Sequence, residues 1–142
     1  MEERLISFEI AKLANEKGFN WKTHAFYNNL VNQLDDSDRL MANWNDGETA
    51  TISAPTQSLL QKWLRDVHGL DIVIHPEYYI NWTNWNVQVT WLLNKNEIYH
   101  NLDDIYDGTG MYGDNGEFPT YEDALEFGLQ EALKHITLWK IR

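Results

Sequence analysis

Between Trp85 and Leu93 the side chains alternate, with Trp85, Val87, Val89, Trp91 and Leu93 separated by Asn86, Gln88 and Thr90. A strand sends successive side chains to opposite faces, so this segment has one apolar face and one mostly polar face. It therefore needs a covering layer on one side only, as in an antiparallel sheet with a wet face. The last part of the chain supplies a suitable cover. Ala124, Leu125, Gly128, Leu129, Ala132, Leu133 and Ile136 recur at helical spacing, and Ala124, Gly128 and Ala132 fall at four-residue steps that permit close approach to a sheet. Thr120 stands where an N-cap is wanted, with Asp123 three residues on, and Glu122 and Asp123 suit the positive end of the helix dipole.

Two further helices are expected. Leu59, Leu60, Trp63, Leu64 and Val67 form one stripe, started by Ser53 or Thr56 as cap and closed by Gly69. Nearer the start, Ile6, Ile10, Leu13 and Ala14 repeat over Leu5–Lys17, and Gly18 follows as a C-terminal stop. Strands are expected at Thr49–Ser53, at Asp71–His75 ending before Pro76, and at Glu97–Asn101 after a turn at Asn94–Asn96. The stretch from Asn28 to Gly47 is polar and turn-rich, and residues 107–116 read as a glycine-rich loop. This order predicts an α+β fold in a single domain, 1–142. It consists of a mostly antiparallel sheet of three to five strands with about three helices packed largely on one face.

Charge narrows function. The 142 residues carry 11 Lys+Arg against 22 Asp+Glu, a formal net charge of −11. Nucleic-acid binding and attachment to anionic membranes need clustered cations, so neither is expected. There is no cysteine, which removes disulfides, thiolate metal sites and a cysteine nucleophile. No apolar run approaches the roughly 20 residues of a membrane helix, and the acidic opening MEERLISFEI does not read as a signal peptide. A cytoplasmic protein of undetermined oligomeric state is expected.

The imbalance is concentrated. From Asn96 to Leu133 there are ten acids and no Lys or Arg. Such a run is either solvated surface that aids solubility or a docking surface for a basic protein. On the second reading, Asp103, Asp104, Asp107, Glu122, Glu126 and Glu131 are the candidate partner-binding residues, with the three glutamates facing outward.

Catalytic patterns are missing. The five histidines show no HxH or HExxH spacing, and nucleophile-elbow, P-loop and dinucleotide-binding motifs are absent. Asp103, Asp107 and Gly108 fit three positions of a calcium loop, but Ile105 and Asp114 break it. No metal and no cofactor are expected. Aromatic residues offer an alternative. Tyr78, Tyr79, Trp82, Trp85 and Trp91 lie among Asn81, Asn84 and Asn86, a mixture that could stack on and hydrogen-bond a sugar or base, anchor a protein interface, or simply fill a core. A small enzyme or ligand-binding module would then use Tyr79, Trp82 and His100.

The strings SAPTQSLLQKWLRDVHGLDI and TYEDALEFGLQEALKHI, with the opening LISFEIAKLANEKGF, resemble a family of small proteins from Bacteroides-type gut bacteria and their phages or mobile elements. The resemblance implies a context of mobile DNA and brings no functional residues. In layout, strands followed by the acidic YEDALE helix are similar to the β-β-β-α arrangement of HicB-type antitoxin domains. The expected function is a non-enzymatic acidic interaction protein, a phage or mobile-element accessory factor.

Overall fold

The computed structural model describes residues 3–36, 40–47, 50–91, 100–101 and 118–136. The elements run α1 (Phe8–Glu16), β1 (Ala25–Asn28), β2 (Gln33–Asp36), β3 (Thr51–Ser53), α2 (Gln57–His68), β4 (Leu70–Tyr78), β5 (Thr83–Trp91), β6 (His100–Asn101) and α3 (Tyr121–Lys134). Among the described residues the fold is α+β with three helices and antiparallel strands, as the patterning predicts. The strands form two three-stranded sheets instead of one, ordered β2-β1-β3 and β4-β5-β6. The chain divides into two compact units, residues 1–63 with 133–142, and residues 64–132.

In the first unit, Ser7 caps α1, its Oγ accepting from the Ile10 N–H at 3.3 Å. Gly18 follows with φ +93°, a backbone angle that an L side chain resists. Ile6, Ile10, Ala14, Phe19, Ile52, Leu60 and Trp63 are buried. The Phe19 and Trp63 rings meet edge to face at 5.3 Å. β1 is the central strand, pairing with β2 through Ala25–Asp36 to Asn28–Gln33 and with β3 through Phe26–Ser53 to Asn28–Thr51. β2 falls inside the stretch expected to be turns. It is an edge strand with all four residues exposed, so no apolar alternation marks it. Of the two cap candidates for α2, Thr56 serves, accepting from the Leu59 N–H at 3.2 Å. Ser53 lies in β3 and accepts from the Trp44 N–H.

In the second unit, β4 and β5 form a nine-residue ladder from Leu70–Trp91 to Tyr78–Thr83. Partners across a ladder share a face. Ile72 with Val89 and Ile74 with Val87 therefore make one face, while Asp71 with Thr90, Val73 with Gln88, His75 with Asn86 and Glu77 with Asn84 make the other. α3 covers the apolar face. A Cβ placed on Gly128 would lie 2.7 Å from Val87 Cγ2 and 2.8 Å from Ile72 Cγ2, so only glycine fits there.

β4 runs on through Pro76, where the strand was expected to stop. Trp85, its partner, exchanges both backbone hydrogen bonds with Phe118 on the other side, at 2.9 and 3.0 Å. The Pro76–Trp85 pair is therefore not hydrogen-bonded, and the proline nitrogen points off the edge strand, where its missing N–H costs the ladder nothing. The buried stripe of α2 ends at Leu64, and Val67 in the last turn is 52% exposed. The side chain of Trp91, Leu93, the turn expected at 94–96, most of the strand expected at 97–101 and the glycine-rich loop lie outside the described residues. Among the described residues no helix is long and apolar enough to cross a membrane.

Thr120 caps α3 as its spacing predicts, accepting from the Asp123 N–H at 3.0 Å. Thr120→Ala is expected to lower stability by about 1 kcal/mol. Urea unfolding followed by circular dichroism would read this, and an unchanged midpoint would mean that the cap contributes nothing.

Candidate functional site

A cavity of about 780 Å³ opens in the first unit. Its walls follow from three backbone junctions. The extended segment before α1 lies along the turn into α2, with Ile6 N donating to Pro55 O at 3.1 Å and Gln57 N to Arg4 O at 2.9 Å. Thr23 and Ala42 exchange hydrogen bonds at 2.9 and 3.0 Å, bringing Met41 to the opposite wall. Between them, Ala54 N donates to Ala25 O at 3.0 Å.

The lining sorts by polarity. Ala25, Ala54 and Pro55 are buried and form the floor, with Leu5 and Leu59 half-buried at the sides. Three small or compact residues side by side leave a recess where larger ones would fill it. The buried Thr23 hydroxyl is already committed, donating to Ala25 O at 2.8 Å. Exposed Glu3, His24, Asp36, Ser58 and Lys62 form the rim. An apolar floor under a few ionic groups suits a partly apolar guest that carries charge at its ends.

The candidate residues named from sequence are distributed differently. Asp103, Asp104 and Asp107 lie outside the described residues. On α3, Glu122 is exposed and Glu126 half-buried. Glu131 does not face outward but is 3% exposed. It follows Ala124 by seven residues, almost two full turns, which returns it to within about 20° of the buried stripe.

The aromatic set splits. Tyr79 and Trp82 meet at the tip of the β4–β5 hairpin, their rings stacked at 4.1 Å and 11°. Tyr79 N donates to Trp82 O at 2.8 Å, closing the tip. His100 pairs with Trp91 at the far end of β5, eight residues and roughly 27 Å along the strand at the usual rise. The structure thus joins Tyr79 to Trp82 and places His100 at the opposite end of the sheet. His75 and His100 are likewise apart, His75 pairing with Asn86 on the other side of β5.

The cavity was missed from sequence because its floor comes from two segments far apart in the chain, Ala25 and Ala54–Pro55. The available signal is the AP of SAPT and the lone Ala25 in an aromatic run, small residues whose adjacency appears only once β1 and β3 are paired. Comparison of the chain with protein-family models, with curated proteins and with solved structures gives no match.

Proposed function

We propose that this chain is a binding protein for a basic protein partner, and that the cavity of the first unit receives an apolar side chain of that partner. The observation that carries the reading is the cavity itself, an apolar floor of Ala25, Ala54 and Pro55 beneath a rim that includes the carboxylates of Glu3 and Asp36. An aliphatic or aromatic anchor on the floor leaves flanking Lys or Arg residues within reach of the two carboxylates, and such charged pairs set orientation and on-rate more than raw affinity.

The net charge of −11 supports the same partner chemistry, since it attracts cations at long range and repels polyanions. The base-free run from Asn96 to Leu133 adds to that attraction. This moves the proposed contact from the 97–131 region to the cavity. The context of mobile DNA implied by the resemblance fits cationic, nucleic-acid-handling proteins as partners.

Fluorescein-labelled peptides with one central Leu or Phe flanked by Lys and Arg, followed by anisotropy at 50 and 200 mM salt, test the reading. Leu59→Lys places a cation at the cavity wall and is expected to weaken binding at least tenfold while the circular dichroism spectrum stays unchanged. Glu3→Gln with Asp36→Asn should weaken binding and flatten its salt dependence. Affinities indifferent to all three substitutions would refute the assignment.

A further inference from the structure

The face of the β4–β5 ladder opposite α3 carries an unusual set of side chains. α3 lies against Ile72 and Val87. The other face therefore presents, from the tip downward, Glu77 with Asn84, His75 with Asn86 and Val73 with Gln88. The amides of Asn84, Asn86 and Gln88, the His75 imidazole and the Glu77 carboxylate lie in a strip along the hairpin, with the Asp71–Thr90 pair at its lower end and the stacked Tyr79–Trp82 pair at its tip. We infer that this strip is a binding surface for a neutral oligosaccharide, one sugar ring resting on the aromatic pair and the following ones hydrogen-bonded along the amides.

The aromatic end is built and held. Tyr79 and Trp82 are 43% and 52% exposed although each covers one ring face of the other. The Tyr79 hydroxyl donates to Glu77 Oε2 at 3.1 Å. Asn86, the diagonal neighbour of Glu77, donates from Nδ2 to Glu77 Oε1. One carboxylate is thus gripped by the platform tyrosine and by an amide two residues further along the strip, so its position is set before a ligand arrives. Preorganisation of this kind lowers the ordering cost of binding.

The chemistry selects the class of ligand. A sugar ring offers C–H groups on its face and hydroxyls at its edge, and an exposed aromatic ring beside amides and a carboxylate answers both. A nucleobase could use the same ring faces, but its phosphates would meet Glu77 and a chain of charge −11, with no cation on the strip to neutralise them. A hydrophobic peptide would find aromatic rings at the tip and then, apart from Val73, only polar side chains beyond. The polar strip, which carries carboxylate and amide groups and no Lys or Arg, therefore fits a neutral sugar chain.

Isothermal titration calorimetry with cellohexaose, xylohexaose and mannohexaose, supported by NMR shifts of the Asn and Gln side-chain amides, is the test. At least one oligosaccharide should bind with a submillimolar Kd that does not change between 50 and 500 mM salt. Trp82→Ala should reduce affinity at least tenfold, and Trp82→Phe should restore most of it, which separates stacking from damage to the hairpin. Glu77→Gln should weaken binding severalfold with the tip intact. Leu59→Lys, in the other unit, should leave sugar affinity unchanged, so failure here and failure of the peptide reading are distinguishable. Absence of binding to all three sugars, or binding that Trp82→Ala leaves unaltered, would overturn the inference.

Discussion

Trp63→Ala should cost about 3–5 kcal/mol, the range for truncating a buried aromatic residue to alanine. Among the described residues Trp63 is the largest of the fully enclosed side chains, 2% exposed, and its ring meets Phe19 edge to face at 5.3 Å. The loss combines transfer of the indole to water, the void left behind and an edge-to-face contact worth about 0.5–1.5 kcal/mol. Set against a total stability of roughly 5–15 kcal/mol, it would remove much of the folded margin. Urea unfolding should show a much lower midpoint with little change in slope, and Trp63→Phe should fall between the two. A loss below about 1 kcal/mol would mean that the site collapses around the void, and that the packing described for the first unit is wrong.

The second large effect concerns Gly128, and there the sign is the informative part. On an open helix face, Gly→Ala stabilises by about 1 kcal/mol through backbone entropy. At Gly128 the new methyl would stand 2.7 Å from Val87 Cγ2 and 2.8 Å from Ile72 Cγ2. Both neighbours are β-branched and stiff at χ1, so neither can swing aside cheaply. Overpacking costs about 1–3 kcal/mol, which outweighs the helical gain for Ala and grows for Leu. Gly128→Ala should therefore destabilise and Gly128→Leu should do so severely. Val87→Ala should partly rescue Gly128→Ala, giving a favourable coupling in a double-mutant cycle. A stabilised Gly128→Ala would show that α3 does not lie so close to the sheet.

The elements that were legible in the sequence carried their signal locally. The stripe of α3 is read from one 3.6-residue period, and every member assigned to it, from Ala124 to Ile136, is buried. Val87 and Val89 are buried as their alternation requires. Division into two sheets was not legible, because β1 finds its partner β3 more than twenty residues away and its other partner, β2, has a single apolar residue, Leu34, which is exposed. Glu131 departs from this pattern, since its charge favours solvent while its place on the helix, seven residues after Ala124, buries it. The candidate sites follow the same division. Tyr79 and Trp82 could be named because they lie in one short segment dense in aromatic and Asn residues, whereas the cavity needs Leu5, Ala25 and Ala54 brought together by pairing.

Pro76 bears on how the molecule behaves among its own copies. A nine-residue border strand is a template that a second chain can extend, and repeated extension is how fibrous aggregates grow. At its seventh position β4 presents a ring nitrogen with no hydrogen to give, pointed toward any strand that might arrive. An incoming chain would lose a rung there and meet the pyrrolidine ring. The residue that looked like a stop signal thus acts as a guard against runaway self-association.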